Sequence, residues 1–193
     1  ERRMIELLLQ GVLLGGLHTL FALGLSLMFG VMRLTNTAHG DFIILGAFGA
    51  ISLAGWGINP WLADVMVLPV AWLLGYVIQR YVLNRTLGKD PVPSLVVTFG
   101  LSIVIQNALL ETFSADPRSI ESHGLNIQSL GVSDSLSVGV LPILILLIAL
   151  LATAGLQWLF AKTRIGRAFR AVSDDPEIAE LMGLRSNNVY ALA

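Results

Sequence analysis

Three stretches of this chain carry side chains able to do chemistry. In the first, Arg33-Leu34-Thr35-Asn36-Thr37-Ala38-His39-Gly40-Asp41, a dense set of hydrogen-bonding groups stands between two apolar runs. His39 and Asp41 are two residues apart, so they do not share a helix face, which argues against a metal pair. The other histidines are His18 and His123, and the chain has no cysteine. That excludes disulfides, thiolate zinc sites and a Cys nucleophile. Ser102 with His18 or His39, and Asp41 with Asp64, are the raw materials for an enzyme, and no recognised motif arranges them. No catalytic residue, metal or cofactor is expected.

The second stretch is Thr98-Phe99-Gly100-Leu101-Ser102-Ile103-Val104-Ile105-Gln106-Asn107. Thr98, Ser102 and Gln106 recur every four residues and so line one helix face. A neutral polar stripe in an apolar helix has two uses: it bonds neighbouring helices, or it lines a path for an uncharged polar solute. Its lack of charge disfavours a proton relay or cation pathway. The first stretch has two readings as well. It is a helix–helix connection with Asn36 or Thr37 as N-cap, or a broken-helix element beside a permeation path. The path candidates are Asn36, His39, Asp41, Thr98, Ser102, Gln106 and Asn107.

The third stretch, 162–185, holds nine charged residues. Ile165, Ala168, Phe169 and Val172 fall at helical spacing, with Arg164, Arg167 and Arg170 between them. This predicts an amphipathic helix suited to a membrane interface. A short second helix follows, with Ser173 or Asp174 as cap, Pro176 in its first turn, Glu177 complementing its dipole and Gly183 at its end. Ile178, Leu181 and Met182 form a small apolar face, which needs a partner surface in this chain or in another subunit.

The elements that position these stretches follow from charge placement. Of 193 residues, 55% are hydrophobic, 12 are basic and 13 acidic. The windows 7–32, 42–58, 61–78, 92–110 and 138–161 contain one charged residue, Asp64. Apolar windows of about 18 residues or more match the hydrocarbon core of a bilayer, about 30 Å thick. An ordinary soluble enzyme, a nucleic-acid binder and a disordered chain are excluded. The expected fold is all-α: a polytopic helical membrane protein of about five spans, read as one membrane domain over 1–193. The run after Arg2 and Arg3 is too long for a signal peptide.

Basic residues mark the cytoplasmic side. Arg80, Arg85 and Lys89 place loop 79–90 there, as Lys162 to Arg185 place 162–185. Loop 111–137, with Glu111, Asp116, Glu121 and Asp134 against Arg118, reads as external. Parity then puts the 33–41 turn inside and the N-terminus outside, against Arg2 and Arg3, unless the short 42–58 window does not fully cross. Gly11 with Gly15, and Gly46-Ala50-Ala54, predict close helix contacts. His18 is expected to bond a neighbouring helix. Pro69 and Pro142 lie within spans, where each can kink its helix. The chain starts at Glu1, and a new apolar segment begins near its end, so a piece of a longer chain is expected.

These three stretches resemble the membrane-spanning permease subunits of branched-chain amino acid ABC importers. Gly30 to Asp41 resembles the family's G-[IV]-x-x-[IVL]-x-N-F-A-H-G-[ED] segment, with Thr37 in place of Phe. Thr98-Phe99-Gly100-Leu101-Ser102-Ile103 with Gln106-Asn107 resembles its T-x-G-L-S-I…Q-N segment. Thr163-Arg164-Ile165-Gly166-Arg167-Ala168, Arg170-Ala171, Ala179 and Gly183 resemble its cytoplasmic coupling region.

The resemblance implies a plasma-membrane permease in which two such subunits surround a path. It implies two cytoplasmic ATP-binding subunits and an external solute-binding protein. It also implies that Asp174, Asp175, Pro176, Glu177, Ile178, Ala179, Glu180, Leu181, Met182 and Gly183 form a helix that docks in a groove of the ATPase. The solute implied is a branched-chain or related amino acid, with urea, short amides or aromatic acids as alternatives among relatives. The chain lacks the Walker motif G-x-x-x-x-G-K-[ST], so ATP energy has to arrive through contact. An ATP-independent channel or secondary transporter is the alternative class. No nucleic-acid partner is expected at a net charge of −1.

Overall fold

The computed structural model describes residues 2–87, 90–116, 118–119, 129–133 and 136–192. Lys89, Glu121, His123 and Asp134, named above, lie outside the described residues. The elements are α1 (Arg2–Met32), α2 (His39–Gly55), α3 (Pro60–Tyr81), a 3-10 turn (Leu83–Arg85), α4 (Val92–Phe113), β1 (Ser129–Ser133), β2 (Leu136–Gly139), α5 (Val140–Lys162), α6 (Arg164–Asp174), α7 (Pro176–Leu181) and α8 (Ser186–Leu192). Among the described residues, four helices are long and apolar enough to cross a membrane: Arg3–Met32, Pro60–Arg85, Val92–Phe113 and Val140–Lys162. The helical fold class is confirmed.

Two details depart from the reading of the sequence. The 42–58 window is a 17-residue helix that starts at His39 and ends at Gly55. At the helical rise of 1.5 Å per residue it is about 25 Å long, shorter than a bilayer core. Also, part of the 111–137 loop pairs as an antiparallel hairpin, Ser129 opposite Gly139 and Leu130 opposite Val138.

The chain divides into two compact units, Glu1–Gly24 with Glu121–Thr163, and Leu25–Ile120 with Arg164–Ala193. In the first unit the close approach is at Gly16, where a Cβ atom would lie 2.9 Å from Leu146 Cα. Gly11 and Gly15 have open space instead, so the expected G-x-x-x-G contact is displaced by one residue. His18 Nδ1 donates to Leu14 O of its own helix at 2.9 Å, a correction to the interhelical bond expected of it. Pro142 sits in the first turn of α5, where no intrahelical donor is lost and no kink is required. Pro69 lies inside α3 and interrupts its interior.

In the second unit α2 packs against both α3 and α4. Gly49 and Gly46 face Val67 of α3, and Phe48 stacks on Phe113 of α4 with centroids 4.7 Å apart. Asn59 caps α3 by accepting from Trp61 N at 3.0 Å, with Pro60 at the first helical position. The unit carries many outward apolar side chains, among them Leu68, Val70, Trp72 and Leu73 of α3. Such a surface is stable in hydrocarbon, where exposing it costs nothing.

The contact at Gly16 can be tested against its neighbour. Gly16→Ala forces a methyl group into the backbone at Leu146 and is expected to cost about 1–3 kcal/mol. Gly15→Ala meets nothing and is expected to be neutral or mildly stabilising. Thermal unfolding of the full-length protein in detergent separates them; equal effects would remove the packing argument.

Candidate functional site

The polar residues of the 33–41 stretch are held by α4. Thr98 Oγ1 donates to Leu95 O at 3.2 Å, which leaves it to accept from Thr37 N at 3.3 Å and from the Thr37 hydroxyl at 3.0 Å. One turn further along α4, Ser102 Oγ donates to Asp41 Oδ2 at 2.5 Å. Another turn on, Gln106 Nε2 donates to Asp41 Oδ1 at 3.0 Å and lies 3.1 Å from Ser102 Oγ. The four-residue stripe therefore acts as a ladder of donors and acceptors facing one short segment. Asp41 is 8% exposed, and both its oxygens are engaged. Its place in the first turn of α2 adds the favourable end of that helix's dipole.

The expected N-caps are corrected here. α2 begins after Ala38, with no side-chain cap. Asn36 Oδ1 instead accepts from Ala38 N at 2.9 Å, a local turn bond, and Thr37 is committed to Thr98. The seven path candidates separate into three groups. Asp41, Ser102 and Gln106 bond α2 to α4, and Thr98 bonds α4 to Thr37 just before α2. Asn36 and His39 line a cavity beside α3, together with Gln79. Asn107 donates to Ile103 O of its own helix at 2.8 Å and stands apart.

The segment after Thr163 is the second part of the site. α6 is amphipathic as expected: Gly166, Phe169 and Val172 are buried, and Arg164, Arg167 and Arg170 are exposed. Ile165, assigned to its apolar face, is exposed instead. The cap of α7 is Asp175, not Ser173 or Asp174. Its carboxylate accepts from Glu177 N and Ile178 N at 3.0 Å each. Asp174 belongs to α6, and the helix itself runs Pro176–Leu181. Gly183, at φ +87°, closes it: Gly183 N donates to Glu180 O and Leu184 N to Ala179 O, both at 3.0 Å. Ala179 faces inward, whereas Leu181 and Met182 are 87% and 80% exposed.

Residues 7–193 match the family described as branched-chain amino acid transport system, permease component. The chain belongs to this family. It is 28% identical, over 97% of its length, to the high-affinity branched-chain amino acid transport system permease protein BraD of Pseudomonas aeruginosa. It is 26% identical, over 97% of its length, to the permease protein LivH of Escherichia coli strain K12. A probable branched-chain amino acid transport permease protein of Methanocaldococcus jannaschii is 26% identical over 93% of the chain and 58% of that relative. The chain spans 65% of the length of the Pseudomonas and Escherichia relatives. No solved structure matches. With the apolar helices, the family places the permease chain among multi-pass membrane proteins.

Two links that the sequence did not suggest join α6 and α8, which flank α7, to the rest of the second unit. Ser173 Oγ donates to Gly30 O at 2.6 Å, and Arg33 Nη2 donates to Ser173 O at 3.5 Å. Arg33 has φ +53°, a left-handed conformation unfavourable for a residue with a Cβ atom, and it ends α1 there. On the other side, Arg80 donates to Asn188 Oδ1, and Asn84 Nδ2 donates to Asn187 O at 2.9 Å. Burial and the nearby Glu180 carboxylate push the Tyr190 phenol up, against the pull of Arg33.

Ser102→Ala removes the hydroxyl donor to one Asp41 oxygen and is expected to cost about 1–3 kcal/mol in the full-length permease. The same change in an Asp41→Leu background is expected to cost much less. Thermal unfolding of all four variants checks this; an unchanged cost in that background would show that the bond is not what Ser102 contributes.

Proposed function

We propose that this chain is the permease subunit of an ATP-driven importer for branched-chain or related small amino acids. The names of its relatives support the solute class, and the α7 surface supports the coupling to ATP. Its apolar residues Ile178, Leu181 and Met182 are exposed on a helix whose two ends are firmly closed. A six-residue helix does not persist by its own propensity. Here caps at both ends and Ala179 hold it, and its apolar face is left for a partner. The partner proposed is one of two cytoplasmic ATP-binding subunits, with a second permease chain and an external solute-binding protein completing the importer.

The mechanism follows from how α7 is anchored. A push on α7 passes through Ser173 to the end of α1 and to Arg33. It passes through α8 to the end of α3, by way of Asn187 and Asn188. The 34–38 segment is bonded to α4 at Thr98. Movement of the ATP-binding subunits would thus tilt α1, α3 and α4 as connected rods, opening the path to one side at a time. In this reading α6 and α7 lie at the cytoplasmic face of the plasma membrane, and the whole chain works as one membrane domain. No cofactor of its own is required, because the ATP is consumed by the partner.

Leu181→Asp with Met182→Asp puts two charges on the proposed docking face without touching a bond within the chain. Association with the ATP-binding subunits is expected to weaken at least about tenfold. Uptake into vesicles should fall in step, with membrane insertion unchanged. Full uptake by the reconstituted complex would remove the coupling role.

A further inference from the structure

A cavity of about 550 Å³ runs along α2 and α3 in the second unit. Its walls include Phe42, Leu45 and Leu53 of α2 and Leu74 and Ile78 of α3. Its polar end is formed by Asn36, His39 and Gln79. Gln79 is 4% exposed, and its Nε2 donates to Asn84 Oδ1 at 3.0 Å. Among the described residues no donor reaches its Oε1. A buried acceptor left without a partner is costly, and it is a place where a ligand donor gains a full hydrogen bond.

Shape and charge narrow the occupant. His39 and Leu53 are fourteen residues apart on one helix, about 21 Å at the helical rise. The cavity is therefore an apolar slot about 21 Å long, a length that an extended acyl chain can follow. None of the described residues lining it is Asp, Glu, Lys or Arg. A zwitterionic amino acid seated there would leave both its charges unpaired in a low-dielectric wall. An amphiphile lays only its uncharged chain along this wall and keeps its charged head at the polar end. Its chain fills the apolar length, and a donor on its head reaches Gln79 at the end where Arg80 and Arg85 begin the polar loop.

We propose that this cavity is a phospholipid site, taking one acyl chain between α2 and α3 and a head group bearing N–H or O–H donors at Gln79. The site shares Asn36 and His39 with the path candidates, and the lipid reading does not rest on α7.

The test uses the full-length permease in nanodiscs of phosphatidylethanolamine and phosphatidylcholine with identical chains, mixed equally, followed by native mass spectrometry. Ethanolamine carries N–H donors; choline, trimethylated, carries none. One retained lipid per permease chain is expected, with ethanolamine preferred about fivefold, the net worth of one hydrogen bond. Gln79→Leu should keep the lipid and lose the preference. Gly75 lines the cavity and a Cβ atom there meets nothing, so Gly75→Leu should fill the space and abolish retention. If Gly75→Leu does not assemble, the head-group preference of the Gln79 pair decides alone. The proposal is overturned by no retained lipid, by equal retention of both lipids in the unchanged chain, or by Gly75→Cys cross-linking to a protein side chain, which would make the occupant a second copy or another segment.

Discussion

A carboxyl group at the start of an otherwise apolar helix has to be solvated by protein, because hydrocarbon offers it nothing. Asp41 meets that constraint through Ser102 and Gln106, and much of the second unit is arranged around the result. Two donors at fixed spacing on α4 set how far along that helix α2 sits and which face it presents. A slip of one residue would remove both bonds. The aromatic contact between Phe48 and Phe113 works at the same interface with no directional demand of its own. Polar bonds therefore set the register here, and apolar contact fills the remaining surface.

Once α2 is locked to α4, the chain just before it becomes a rigid strap. Asn36 folds back on Ala38 N, Thr37 bonds Thr98, and Arg33 takes a left-handed conformation to leave α1. Strain of that kind persists only where surrounding bonds over-determine it. Here the bonds to Ser173 supply part of that determination. In the proposed importer this joint matters twice, since it ties the transmembrane clamp to the segment that carries α7.

The long helices were legible because nearly every charge lies outside them, and bilayer thickness turns that pattern into length. The Thr98–Ser102–Gln106 face was legible from its spacing, and the observed bonds realise the helix-bonding use of that stripe. What the stripe bonds to was not readable, since spacing gives a face and not its partner. Asp175 as the cap of α7 could have been read: Pro176 prefers the first helical position, which puts the cap one residue before it. Gly16 was missed because G-x-x-x-G marks small residues without fixing helix phase. Gln79 was missed because it borders Arg80 and reads as the start of a basic loop, although it is buried.

The two faces of α2 treat polar groups in opposite ways. Toward α4, the Asp41 oxygens have neutral donors within the chain, and the contact is complete. Toward α3, Gly46 and Gly49 sit against Val67 beside the cavity, and among the described residues no donor meets the buried Gln79 acceptor. A complete polar contact fixes one register, whereas an unmet acceptor beside a cavity favours a ligand that completes it. The α2–α4 contact is therefore closed by bonds, and the more extensive α2–α3 contact keeps an open acceptor at Gln79. The proposed lipid head would complete the α3 side of α2 as Ser102 and Gln106 complete its α4 side.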